Sequence, residues 1–471
     1  MINRKDILNI KIQTQRVDKV YDIKQTNSKL GKGNFGFVVK AKDKITGQNR
    51  AIKIIKIEKL MQVDADLATL EREFQILSNV DHPNIVKLYE VYKDEKYLYF
   101  VMEYLEGSNL YEGFIKKNDN VNEKRIRDIF YQLLKAIQYM HKSGIAHRDI
   151  KPENIMFLTK NNNDKIKLID FGVSKYFFDP DTPSKEITLR TKTGSLFYIS
   201  PEIASNYKKY DQRCDIWSAG VLLYIMVSGV PPFFDMNPMV VTEKVKNIDY
   251  SCKEEVWKLV SSELIDLIKH MLAPLDKRYT ADEVLEHPWM KMALEEKKYN
   301  LDLKSVRSFF FGAKLAKYVR EIISASMSET DVKNLGNIFV DIDDDGDGLI
   351  SRDQLIEAIK NNFNFNDEEL IEQILKSYKS EDKINYNSFI SLASSINDLP
   401  DYEKRVDKVF KLFDRKKKGQ INAEDIKKAM SKLKIFEKES ISFWQSCIDE
   451  VDKNKNGYLT LEDFKDMIRY N

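Results

Sequence analysis

Cysteine is scarce in this chain: Cys214, Cys252 and Cys447 stand far apart among 471 residues. That spacing excludes a disulfide framework and a CxxC metal site, and it points to a reducing compartment. A surplus of charge of one sign is also missing. Lys and Arg number 76 against 74 Asp and Glu, a formal net charge of +2. Nucleic-acid binding through a general basic field is thereby excluded, leaving room only for local patches. No apolar run approaches the ~18 residues needed to span a bilayer. The opening Met1-Ile2-Asn3-Arg4-Lys5 lacks the apolar stretch of a secretory leader, and Ile2 stands where N-myristoylation needs glycine. A cytoplasmic protein with no membrane span is expected, and a monomer. A hydrophobic fraction of 42% is enough for ordinary buried cores. The length suits roughly three domains of about 150 residues each.

The texture changes along the chain. Residues 1–20 are mixed in charge with little periodicity and read as an N-terminal tail. Residues 21–290 alternate short apolar strands, such as Leu98-Tyr99-Phe100-Val101-Met102, with long helical patterns such as Ile126 to His141. Residues 291–330 form a basic connector, and residues 331–471 are helical with short acidic or lysine-rich loops. Those loops begin at Asp343, Ser377, Asp414 and Asp452, spaced 34, 37 and 38 residues apart, the mark of a repeated supersecondary unit.

Gly31-Lys32-Gly33-Asn34-Phe35-Gly36-Phe37-Val38 is a GxGxxG pattern, which alone is weak because it also marks dinucleotide folds. Its flanks decide. A helix follows the glycines in a dinucleotide fold. Here Phe37-Val38-Val39-Lys40-Ala41, a turn at Thr46-Gly47, and Ala51-Ile52-Lys53-Ile54-Ile55 read as strand, turn, strand. Glycines in such a hairpin let backbone amides approach phosphates. Lys53 needs a carboxylate to hold it; Glu73, on a helical pattern, is the first choice and Glu71 the competitor. Further on come His147-Arg148-Asp149-Ile150-Lys151-Pro152-Glu153-Asn154 and, 16 residues after Asn154, Asp170-Phe171-Gly172.

Together these motifs resemble the eukaryotic protein kinases over residues 21–290. The resemblance implies an α+β class: a bilobal kinase fold that uses ATP and magnesium. Asp149 would orient the substrate hydroxyl, Lys151 would neutralise the γ-phosphate, and Asn154 and Asp170 would hold magnesium. Lys53 would hold the α- and β-phosphates, fixed by Glu73. Gly31, Lys32, Gly33, Gly36, Val38 and Ala51 would frame the nucleotide, with Met102 at its back and the backbone of Glu103 and Leu105 on the adenine. Lysine two residues after the aspartate resembles serine/threonine rather than tyrosine kinases. Ser200-Pro201-Glu202 stands for the family's Ala-Pro-Glu, with Arg278 as partner of Glu202. Asp215-Ile216-Trp217-Ser218-Ala219-Gly220 resembles the helix that anchors the catalytic loop. Arg148 calls for an anion, with Thr191 ahead of Thr193 as phosphosite. Glu153 is retained, but Asn109 replaces a second acid, which implies a moderate preference for basic residues upstream of the target hydroxyl.

An EF-hand loop needs oxygen ligands at positions 1, 3, 5, 7 and 9, glycine at 6 and glutamate at 12. Loop 343–354 supplies Asp343, Asp345, Asp347 and the backbone of Leu349, but ends in Gln354. Loop 452–463 supplies Asp452, Asn454, Asn456 and the backbone of Tyr458, and ends in Asp463, whose shorter arm favours magnesium over calcium. Loops 377–388 and 414–425 are degenerate, with Lys379, Lys416 and Lys418 at ligand positions. They are expected to survive as structural partners through the apolar residue at position 8. Kinase, connector and four EF-hands resemble the calcium-dependent protein kinases of plants and protists. The likeness implies an all-α, two-lobe EF-hand domain that binds calcium and relieves inhibition by residues 291–330. Within them, 309–323 is a basic amphipathic helix suited to the EF lobes, with Lys314, Lys317 and Arg320 off its apolar side. The alternative is an active kinase whose EF-hands are structural or magnesium-bound, controlled by phosphorylation or a partner. A pseudokinase scaffold is disfavoured, since Lys53, Asp149, Asn154 and Asp170 are all present.

Overall fold

Alternation of apolar and polar residues builds the N-terminal lobe as a twisted sheet. The computed structural model describes residues 12–23, 29–32, 36–58, 73–117, 122–160, 164–179, 182–186, 196–205, 210–292, 313–328, 331–332, 335–362, 383–394, 399, 401–432 and 439–470. The strands are β1 (Ile12–Gln13), β2 (Tyr21–Ile23), β3 (Lys29–Lys32), β4 (Gly36–Asp43), β5 (Asn49–Lys56), β6 (Leu88–Lys93) and β7 (Tyr97–Glu103). Their order is β1-β6-β7-β5-β4-β2, with β3 also on β4. Val39, Ala41, Ile52 and Ile54 fill the core on one face with Tyr21, Tyr92 and Val101. The expectation of a tail up to residue 20 needs correction. β1 pairs in parallel with β6, and Val17 is buried in the same core. The isolated apolar residues Ile12 and Val17 carry no visible period, which is why the sequence hides them.

The second lobe is helical. Helix α1 (Glu123–Lys142) starts where the Asn122 side chain accepts from the Arg125 amide, and it buries Ile126, Ile129, Phe130, Leu133 and Ile137. Helix α2 (Cys214–Ser228) is apolar nearly all round and is therefore wrapped on every side. It stops at Gly229, whose φ of 76° is left-handed. Between them β8 (Ile155–Phe157) and β9 (Ile166–Leu168) form a small antiparallel ribbon.

Among the described residues, the last part is built of helices and short loop strands. Helix α3 (Lys314–Ala325) precedes the described elements α4 (Leu335–Ile342), β10 (Leu349–Ser351), α5 (Arg352–Asn362), β11 (Lys383–Asn385), α6 (Tyr386–Ala393), α7 (Tyr402–Phe413), β12 (Gln420–Ile421), α8 (Ala423–Lys432), α9 (Ile441–Asp449), β13 (Leu459–Thr460) and α10 (Leu461–Tyr470). The loops pair antiparallel at position 8: Ile350 faces Ile384, and Ile421 faces Leu459. One apolar core joins both pairs to Leu315, Val319 and Ile323 of α3. Arg320 departs from the expected polar side of this helix. It is buried, and its guanidinium donates to the Ile468 carbonyl at 2.9 Å, capping the end of α10. Residues 309–312 of the expected helix, and 377–382 of the second loop, lie outside the described residues.

This helical domain touches both the sheet lobe and the helical lobe that precede it. Tyr89 Oη donates to the Met327 carbonyl at 3.3 Å, and the Arg50 guanidinium lies 4.1 Å over the Tyr89 ring. Gln48 Nε2 donates to Asp331 at 3.2 Å, and Lys408 pairs with Asp43 at 3.3 Å. On the other lobe, Lys135 Nζ donates to the Asp343 carbonyl at 2.9 Å.

Candidate active site and EF-hand loops

Strand register places the nucleotide-side residues. Val38 is opposite Lys53 on β4 and β5, while Ala51 is opposite Met102 on β5 and β7. Alternate residues share a face, so Val38, Ala51, Lys53 and Met102 line the side turned away from the Val39/Ile52 core. Gly31 and Lys32 lie on β3, with Gly31 opposite Val38; Gly33 is outside the described residues. Gly36 is dictated by close approach, since a Cβ there would sit 1.8 Å from the Ile54 carbonyl oxygen. The Glu103 amide donates to Lys87 O at 2.9 Å, so its carbonyl is what it has to offer a ligand. The Glu103 side chain is buried against Lys167 at 2.9 Å. Sequence reasoning missed Lys167, because a lysine on a three-residue strand reads as surface.

Lys53 Nζ sits 2.5 Å from Glu73 Oε1 and 3.5 Å from Asp170 Oδ1. Burial pushes the Lys53 pKa down, but the two carboxylates outweigh it and hold the ammonium above its ordinary value. Asp170 is held below the usual carboxylate range: burial opposes ionisation, and Lys53 and His147 more than offset it. Glu71 is outside the described residues. Phe171 is buried and meets the His147 ring edge-on at 5.0 Å.

The loop after α1 carries the other half. Lys151 Nζ is 2.6 Å from Asp149 Oδ2, and Asn154 Nδ2 donates to the same oxygen at 2.9 Å and to the Asp149 carbonyl at 2.8 Å. The Asn154 amide nitrogen is thus committed, leaving Oδ1 as the atom it can give a cation. Beneath the loop lies Asp215, fully buried. It accepts from the His147 amide at 2.8 Å, the Arg148 amide at 2.7 Å and His141 Nε2 at 3.0 Å. Arg148 has φ 70° and Asp170 φ 62°, both left-handed, so the backbone on each side of the cleft is held in a costly conformation. Arg278 grips Glu202 bidentately at 2.7 and 2.9 Å in a buried pair. Asn109 caps a short helix by accepting from the Glu112 amide at 2.9 Å, and Glu153 is exposed. Thr191 and Thr193 are outside the described residues.

In the first EF loop, carboxylate oxygens of Asp343, Asp345 and Asp347 lie within 4.8 Å of one another. Asp343 Oδ1 is buried and, among the described residues, accepts no hydrogen bond. Burial, eased by Lys135 and reinforced by Asp345, pushes the Asp343 pKa up to about 7. Leu349 pairs with Asn385 on β11. Gln354 Oε1 accepts from the Ser351 amide at 2.7 Å, which turns its NH2 toward Asp344 and Asp345 at 2.5 and 3.3 Å. A donor therefore stands where a ligand oxygen is needed. Lys383 of the second hand sits 2.9 Å from Asp347. In the fourth loop Asp452 accepts from Asn454 and Gly457 amides, Asn456 from Tyr458, and Asp463 is engaged by Thr460 Oγ1 at 2.7 Å. In the third loop, Asp414 accepts from the Lys418 and Gly419 amides, so the loop shape persists despite its lysines.

The protein kinase domain model matches residues 24–290, and the EF-hand domain pair model matches 403–469. The chain is 35% identical over 462 residues to calcium-dependent protein kinase 4 of Plasmodium falciparum, covering 93% of this chain and 85% of that protein. It is 33% identical over 454 residues to calcium-dependent protein kinase 3 of Plasmodium berghei, covering 93% and 79%. Among solved structures it is similar to the twitchin kinase region of C. elegans, with TM-score 0.53 and 31% identity over 60% of this chain and 48% of that one. A twitchin kinase fragment of C. elegans, an autoregulated protein kinase with immunoglobulin domains, gives TM-score 0.54 and 30% identity over 60% of each chain. A kinase cleft followed by EF-hand loops, matched across nearly the whole length by such relatives, places this chain in the calcium-dependent protein kinase family.

Proposed function

We propose that Lys53, Glu73, Asp149, Lys151, Asn154 and Asp170 carry out the phosphoryl transfer of this serine/threonine protein kinase, which is regulated by calcium through its EF-hand domain. The observation that carries the assignment is convergence: Lys53 bridges Glu73 and Asp170, and across the cleft Asn154 and Lys151 share one oxygen of Asp149. A hydroxyl of the substrate attacks the γ-phosphorus, the bond to the β–γ bridging oxygen breaks, and ADP leaves with that electron pair. Asp149 accepts the hydroxyl's hydrogen bond, holds it in line and takes its proton as the new P–O bond forms. Lys151, beside it, meets the charge on the phosphoryl oxygens, and Lys53 holds the α- and β-phosphates. Val38, Ala51 and Met102 exclude water around the base, which the backbone of Glu103 and Leu105 recognises.

The donor set fits magnesium: an ionised Asp170 and the Asn154 amide oxygen are hard oxygen ligands. When bound, magnesium neutralises phosphate charge. For calcium, the orphaned and buried Asp343 Oδ1 among three convergent carboxylates supports the first loop as a site, made of Asp343, Asp345, Asp347 and the Leu349 carbonyl. The Gln354 amide weakens it, toward the range of about 10⁻⁵–10⁻³ M. Asp452, Asn454, Asn456, the Tyr458 carbonyl and Asp463 form the second site, for calcium or magnesium. The contacts of Gln354 and Asp463 also favour a second reading, in which magnesium fills the loops and the EF domain acts structurally. We assign the junction, residues 291–330, as the autoinhibitory segment, Thr191 as a phosphosite serving Arg148, and Glu153 as a reader of upstream basic residues. Among the described residues no helix is long and apolar enough to cross a membrane, and the three cysteines are thiols, which supports a cytoplasmic setting.

The test is phosphorylation of a basic serine/threonine peptide with magnesium-ATP. Lys53→Met and Asp149→Asn are expected to abolish transfer while the protein stays folded; retained activity in either refutes the assignment.

A further inference from the structure

The first EF-hand loop lies directly on helix α1 of the kinase domain. Lys135, on the buried side of that helix, sends its ammonium into the loop. Nζ donates to the Asp343 carbonyl at 2.9 Å and the Asp344 carbonyl at 3.3 Å. Burying a lysine is costly: burial lowers the Lys135 pKa from its ordinary value, and the side chains of Asp343, Asp341, Asp344 and Asp345 offset only part of that by favouring the charged form. The loop's glycines permit the approach. Gly346 and Gly348 have φ of +69° and +82°. A Cβ on Gly346 would lie 2.1 Å from Gln138 Oε1, and one on Gly348 2.4 Å from Tyr139 Cε2. These positions therefore serve docking as well as loop shape. On the far side of the acidic triad, Lys383 pairs with Asp347 at 2.9 Å.

We propose that Lys135 is a competing cation built into the kinase domain: it holds the first EF-hand loop against helix α1 and weakens that loop's affinity for calcium while it is docked. The inference rests on the reading of this loop as a calcium site. Lys135 supplies positive charge to the same carboxylate cluster a divalent ion would use, and in a partly buried setting the two cations repel strongly. Linkage then runs both ways. If docking weakens calcium binding, calcium weakens docking by the same factor. The kinase lobe thus sets the calcium threshold of its own sensor, and loading the loop releases helix α1.

The full-length chain is titrated with calcium by calorimetry in an Asp452→Ala background, so that the heat reports the first loop. Lys135→Met is expected to bind calcium about tenfold more tightly, as removal of one nearby unit charge requires, while Lys135→Arg stays close to the parent. Equal or weaker binding by Lys135→Met overturns the proposal. Asp345→Ala is the control on the underlying site: if it leaves calcium binding unchanged, the calcium reading itself fails and takes this inference with it. If it abolishes binding while Lys135→Met changes nothing, only the competition fails. Amine labelling of the unmutated protein gives an independent readout. Calcium is expected to raise the reactivity of Lys135, and unchanged labelling at saturating calcium contradicts release.

Discussion

Asp215 touches neither nucleotide nor substrate in the mechanism above, yet replacing it with asparagine should nearly silence the enzyme. Its two oxygens accept from the His147 amide, the Arg148 amide and His141 Nε2. An asparagine keeps one oxygen. Whichever way its amide turns, an NH2 faces one of the two backbone N–H groups that now donate to the carboxylate. Loss of one hydrogen bond to a charged acceptor costs about 2 kcal/mol. Arg148 is held at φ 70° by the same contacts, and such a conformation stores roughly 1–2 kcal/mol that the slackened loop would release. Together about 3–4 kcal/mol favour a loop in which Asp149 is misplaced, which at ~1.4 kcal/mol per decade predicts a fall in kcat of at least ~100-fold. KM for ATP should stay within about threefold, because Val38, Ala51, Lys53 and Glu73 sit on other elements. Steady-state kinetics of Asp215→Asn, with circular dichroism to verify folding, decides. A kcat within about fivefold of the parent refutes the reasoning, as does a loss carried wholly by KM.

Three further outcomes follow from the geometry. Arg278→Met should cost about 3–5 kcal/mol in urea unfolding because Glu202 is left buried and unpaired, whereas the double variant Glu202→Gln/Arg278→Met should cost less. Burial raises the Glu321 pKa, partly offset by Lys317 and Ser388. Its protonated form therefore contributes stability that is lost as pH rises from the ordinary glutamate range through the raised value. Glu321→Gln should raise Tm at about pH 8 and lose that advantage near about pH 4. Gln354→Glu should tighten calcium binding by about tenfold in calorimetry, because it restores the missing carboxylate and removes a donor from the loop.

The kinase machinery was the most legible part, because phosphoryl transfer demands particular residue types at fixed spacings. Lys53, Asp149, Asn154 and Asp170 could be named before any coordinate. Glu73 is preferred over Glu71 on the helical pattern, and its 2.5 Å distance to Lys53 supports that choice. What supports the site was harder to read. Asp215 was visible as part of a motif, but its three hydrogen bonds depend on bringing together segments about 70 residues apart. Lys135, Lys167 and Arg320 were hidden because a buried cation looks like a surface one in sequence; only the carbonyls and carboxylates that meet it distinguish the two. The EF-hand loops were legible position by position, including the defects at Gln354 and Asp463. The direction in which the Gln354 amide points was not, since it is set by the Ser351 amide.

The central claim is best tested by peptide phosphorylation at fixed excess magnesium across a calcium titration, from chelator to millimolar. Activity that rises with calcium, with a midpoint in the weak-site range of about 10⁻⁵–10⁻³ M, is the predicted result. Activity that stays flat and high from chelator onward would contradict calcium control and leave the EF-hand domain a structural attachment.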